Sequence, residues 1–131
     1  MSKARSGIFL KTVSSETLSK FDQIVFEVHF LIRPKTPMEQ SRALSCFNKI
    51  NRTHSLIHAH ANNNSVVLIM DSKILFPDIL ELTYVKTSNY ELVDDENIFL
   101  PISIDRPNNK QLREIPLGFW NKKFNNVVNV I

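Results

Sequence analysis

Glycine is nearly missing from this chain: Gly7 and Gly118 are the only two, and both lie near the ends. Phosphate-cradling loops and nucleophile elbows need glycine where backbone must approach a ligand or take positive φ, so those enzyme classes lose most of their support. Cysteine is scarcer still. Cys46 stands alone, which excludes an internal disulfide and suits a reducing, intracellular setting, cytoplasmic or nuclear. No apolar run approaches the roughly 18 residues of a membrane span, and Met1 to Gly7 leads into no long apolar stretch, so neither a transmembrane helix nor a signal peptide is expected. Strong charge of one sign is also lacking. A net charge of +3 favours anionic partners without demanding them.

What is present is an ordinary globular composition, 43% hydrophobic and 22% charged, in 131 residues. That length buries roughly two-thirds of the unfolded surface, enough for one core, and residues 1–131 read as a single domain. Residues 1–6 form a flexible basic arm in this reading, and 107–131 an irregular C-terminal segment. The best strand is Gln23 to Arg33, where Ile24, Phe26, Val28, Phe30 and Ile32 share one parity and face one core. The other parity is mixed, which describes a sheet with one dry face.

After Arg33-Pro34 comes a specific helix signal. Thr36 caps, Pro37 takes the first helical position and Glu39 closes a capping box, predicting a helix over about 37–51. Ala43, Leu44, Phe47 and Ile50 form its apolar stripe, with Arg42, Lys49 and Arg52 on the opposite side. From His54 two apolar runs flank Asn62-Asn63-Asn64. They read as a hairpin, with the asparagines in the positive-φ positions that glycine usually holds, although helical spacing of His54, Ile57, His58 and Ala61 is a rival.

Further strands are expected at Ile8 to Val13, Ile79 to Lys86 and Tyr90 to Val93, with Ser14 to Asp22 as loop or helical turn, 72–77 as a connection and 94–97 as an acidic turn. Ile98, Leu100, Ile102 and Ile104 alternate, but Pro101 interrupts them and assigns the row to a sheet edge. The whole predicts an α+β fold: a mostly antiparallel sheet of about five to six strands with one main helix packed on one face.

Three constellations could carry function. Ile98, Leu100 and Ile102 on the edge row, with Phe119, Trp120 and Phe124 in the tail, suit binding to another protein chain in a homo- or hetero-oligomer. Aromatic groups near a terminus are equally able to close the chain's own core. Arg33, Lys35, Arg42, Lys49 and Arg52, helped by Lys122 and Lys123, could meet the phosphates of RNA or single-stranded DNA, but no recognition motif accompanies them and a charged helix face is usually just solvated. His58 and His60 have the two-residue strand spacing of a shared metal; the third ligand would have to come from Asp71, His54 or His29. Without a fixed third ligand that signal is weak.

Cys46 beside the helix stripe reads as a small hydrophobe, Ser41 and Ser45 lack a glycine-framed turn, and the 94–96 carboxylates have nothing to desolvate them. No enzyme and no cofactor is expected. The reading is a small non-enzymatic subunit acting by protein binding, with nucleic-acid binding as the alternative.

Overall fold

The computed structural model describes residues 12–33, 35–70, 74–93 and 97–119. The fold is α+β, with one main helix and antiparallel strands. In chain order the elements are α1 (Ser15–Leu18), β1 (Gln23–Val28), α2 (Pro37–Ile50), β2 (His54–Ala61), β3 (Val67–Met70), β4 (Ile74–Pro77), β5 (Leu80–Lys86), β6 (Phe99–Leu100) and β7 (Gly118–Phe119). Three strands form a sheet in the order β1-β5-β2, while β3 with β4 and β6 with β7 make two-stranded ladders. The described residues condense into two compact units. One contains 12–26, 35–58 and 82–92; the other contains 27–33, 59–70, 74–81, 93 and 97–119.

In the first unit, α1 is the helical turn allowed for Ser14 to Asp22, with the Ser14 hydroxyl accepting from the Thr17 amide at 3.0 Å. Helix α2 begins as its sequence dictates. The Thr36 hydroxyl accepts from the Glu39 amide, the Glu39 carboxylate accepts from the Thr36 amide at 2.8 Å, and Pro37 sits where no N–H is needed. These bonds, first that from the Thr36 backbone and then that from its hydroxyl, hold the Glu39 carboxyl below its ordinary value of 4.5. Along the predicted stripe Ala43, Leu44 and Phe47 are half-buried and Ile50 is fully buried. Leu18 of α1 is buried too, and the two helices touch.

The end of β5 sits between two neighbours: the Lys86 amide donates to the Asp22 carbonyl at 2.8 Å and the Thr87 amide to the Thr53 carbonyl at 3.0 Å. Since β5 ends where β1 and β2 begin, it runs antiparallel to both. The central strand β5 has a neighbour along each edge, and its Leu82, Tyr84 and Val85 are all buried. The Tyr84 ring lies nearly parallel to that of Phe26, with centroids 5.8 Å apart. His54, also buried, donates from Nε2 to the Phe21 carbonyl at 2.9 Å while its Nδ1 meets the Thr53 hydroxyl. It is a structural histidine, and β2 is a strand rather than a continuation of α2.

In the second unit several expectations fail, each for a local reason. The main strand does not run to Arg33. It ends at Val28 because Phe30 takes φ 64°, costing roughly 1 kcal/mol for a residue with a Cβ. Buried Asp78 takes over: its carbonyl accepts from the Leu31 amide at 3.1 Å and its carboxylate from the Ile32 amide at 3.2 Å. Phe30 thereby leaves the core row and becomes exposed, with the Arg33 guanidinium 4.1 Å above its ring.

The asparagine hairpin is also absent. Strand β2 pairs with β5, and β3 turns back on Ile74–Pro77, the stretch expected to be a connection. None of the three asparagines takes positive φ. Instead Asn62 closes the turn, its side chain accepting from the Asn64 amide and its carbonyl from the Ser65 amide. Residues 90–92 of the first unit, with residue 93 of the second, are exposed and irregular rather than a strand, and the edge row shrinks to Phe99–Leu100, already paired with Gly118–Phe119. Most of the strand expected at Ile8 to Val13, the acidic residues at 94–96, and Trp120, Lys122, Lys123 and Phe124 lie outside the described residues.

Replacing Thr36 by Ala removes the cap of α2 and should lower unfolding free energy by about 1 kcal/mol, read from denaturant midpoints at neutral pH. The Glu39 contribution is present above the ordinary carboxyl value and fades as pH falls through its lower folded value, so the Thr36→Ala deficit should shrink in acid. At the opposite extreme, burial raises the Tyr84 phenol from 10.0 to about 12. The folded chain keeps that proton where the unfolded chain loses it. Stability from this source is full below pH 10 and is lost as pH rises through about 12, a difference of about 2–3 kcal/mol. Alkaline unfolding of the parent and of Tyr84→Phe should separate in that window.

Candidate functional site

The most distinctive surface in the second unit is the outer side of the β3–β4 ladder. Register pairs Val67 with Pro77, Leu68 with Phe76, Ile69 with Leu75 and Met70 with Ile74, and the Asp78 amide donates to the Val66 carbonyl at 2.8 Å. Inward- and outward-directed backbone groups alternate along an antiparallel strand. Val66, Leu68 and Met70 therefore turn their N–H and C=O groups toward β4, and Val67 and Ile69 turn theirs away. No other strand among the described residues pairs there. The side chains match this openness: Val66, Leu68 and Ile69 are 67%, 45% and 64% exposed. Residues 66–70 contain no charge, proline or glycine, the devices by which most sheets blunt an edge. Pro77 does lie in the ladder, but opposite outward-facing Val67, where no inward N–H is missed.

The sequence-predicted docking row is less available. Leu100 is buried, its carbonyl accepts from the Leu117 amide at 3.1 Å, and Ile102 is half-buried; Ile98, Phe99 and Ile104 stay exposed. Phe119 belongs to β7.

The basic residues are divided. Arg42 and Arg52 are exposed on or just past α2, but the Lys49 ammonium is spent on the Val13 carbonyl at 3.0 Å, and Lys35 is half-buried. Arg33, in the second unit, stacks on Phe30. An open groove of about 500 Å³ runs along α2, lined by Pro37, Gln40, Ser41, Leu44, Ser45, Asn48 and Arg52. Arg52 is the one cation among the residues that line it.

Of the two histidines proposed for a metal, His58 is half-buried and His60 is 5% exposed. His60 is flanked on both sides. Its Nδ1 lies 3.4 Å from a Glu81 oxygen and its Nε2 lies 3.1 Å from a Glu114 oxygen. The carboxylates approach opposite ring nitrogens, so a single ion could not meet all three groups through one imidazole nitrogen. No cluster of three or more metal-ligating side chains occurs among the described residues. Glu81 also accepts from the Asn108 side chain at 2.6 Å, while the second Glu114 oxygen is buried with no hydrogen-bond partner.

Beside this cluster, buried Asn63 fastens the C-terminal segment. Its amide group donates to the carbonyls of Asn109 at 2.9 Å and Leu112 at 3.1 Å, and its carbonyl accepts from the Asn109 amide at 2.8 Å. Sequence reading saw the histidine spacing and the asparagine triplet but gave neither its structural role. Their partners lie 21 to 54 residues away and carry no periodic signal.

No protein-family model matches the chain, and neither does any curated protein or solved structure.

Asn63→Ala strands the Asn109 amide and two carbonyls without their protein partner. It should cost about 2 kcal/mol of stability and raise hydrogen exchange at Asn109, both measurable on the purified protein.

Proposed function

We propose that this chain is a small non-enzymatic subunit that works by binding another protein chain, with the outer edge of β3 accepting an extended segment of the partner. The observation that supports it is the coincidence of outward-directed backbone groups at Val67 and Ile69 with exposed apolar side chains at Val66, Leu68 and Ile69. Main-chain bonds to an added strand supply affinity and alternate side chains supply selectivity. Exposed Ile98, Phe99 and Ile104 in the same unit add apolar surface of the kind found at interface cores. This moves the docking edge from 98–104 to 66–70 while keeping the same mode of recognition.

No helix among the described residues is long and apolar enough to cross a membrane. A partner in the cytoplasm or nucleus fits the single, half-buried Cys46. Nucleic-acid binding through Arg42 and Arg52 gains no support from the commitment of Lys49 to the Val13 carbonyl.

The decisive experiment is purification from the native source with identification of chains that travel with the protein. The expectation is a stable complex that survives raised salt and is lost on Ile69→Lys, which places a charge on the docking edge while leaving folding intact by circular dichroism. A monomer that instead shifts labelled RNA, with affinity falling steeply as salt rises, would overturn the proposal.

A further inference from the structure

Independently of that reading, we propose that His60 is a proton-operated latch, closing residues 108–117 onto strands β2 and β5 when its imidazole is protonated and loosening them when it is not. Three segments meet at this ring: β2 supplies His60, β5 supplies Glu81, and the C-terminal segment supplies Glu114, with Asn108 tied to the far oxygen of Glu81. A neutral imidazole has one N–H, and a carboxylate can only accept. Only the imidazolium can donate to Glu81 and Glu114 together. In the neutral ring one nitrogen turns a lone pair toward a carboxylate oxygen, and a bond becomes a repulsion.

Burial sharpens the difference at the ring. His60 is 5% exposed and one Glu114 oxygen is buried without a partner, while the Glu81 and Glu114 side chains keep 31% and 27% of their surface, so it is the imidazole nitrogens, more than the carboxylates, that lack water once the ring loses its charge. The proton leaves to solvent and the cluster passes from one net negative charge to two. Glu81 and Glu114 are the ionisable groups that meet the ring among the described residues; Glu27 of β1 instead accepts from Asn62 and contacts His29. What the latch holds is defined by its neighbours. The Asn109 amide donates to Asn63 and the Leu117 amide to Leu100, one on each side of Glu114 along the chain. Opening there frees β7 from Phe99–Leu100.

The test is amide hydrogen exchange at Asn109 and Leu117, corrected for the intrinsic effect of pH, from mildly acidic to mildly alkaline solution. Protection in the parent chain should fall about tenfold or more with rising pH, the loss of one charge-assisted bond. His60→Gln, which cannot change charge, should show low and level protection. Should that variant fail to fold, Glu114→Gln keeps a polar partner for Nε2, removes the charge it faces, and should flatten the profile. Level protection in the parent, or the same decline in the variants, would overturn the latch. Nitrogen-resolved NMR of the ring adds a second readout: both ring N–H groups should be present in the protected state, and a single N–H there would count equally against it.

Discussion

Backbone groups that leave regular structure inside a fold must still find partners, and in this chain that demand falls on a handful of buried polar side chains. His54 takes the Phe21 carbonyl at the approach to β1, the Asp78 carboxylate takes the Ile32 amide where the chain departs from it, and Asn63 takes an amide and carbonyls from the C-terminal segment. In a chain with two glycines these are the joints around which the strands are arranged. Each leaves one or more main-chain groups stranded if removed, and each links residues more than thirty positions apart. Non-local hydrogen bonds of this type cannot form until the surrounding elements are already close, which couples the joints to the packing of the sheets.

That dependence explains what could be read in the sequence. Helix α2 was legible to the residue at its start because Thr36, Pro37 and Glu39 act on neighbours three positions away. Strand β5 was legible because alternation over Leu80, Leu82 and Tyr84 records burial directly. The departure at Phe30 was not, since the run of alternating apolar residues continues through Ile32 and the cause, Asp78, lies far along the chain. Likewise the asparagine triplet resembled a hairpin turn locally, while its connection to 109–113 left no trace in spacing.

Candidate sites followed the same rule. The apolar character of 66–70 was visible as composition, but its exposure was not: pairing of β2 with β5 rather than with β3 decides which strand keeps an open side. His58 and His60 were correctly seen as neighbours in a strand, but spacing says nothing of the two glutamates that clasp His60. The cation row on α2 was drawn by angle alone; Lys49 bends back to a carbonyl because its long stem can.

Pro77 carries a consequence of its own. It is fully buried at the end of β4, and it brings no N–H to the side of that strand opposite β3. Growth of the ladder by strand addition is therefore favoured in one direction and hindered in the other. Of the ladder's two edges, the β4 side is the one that proline blunts and the β3 side is the one it leaves unblunted.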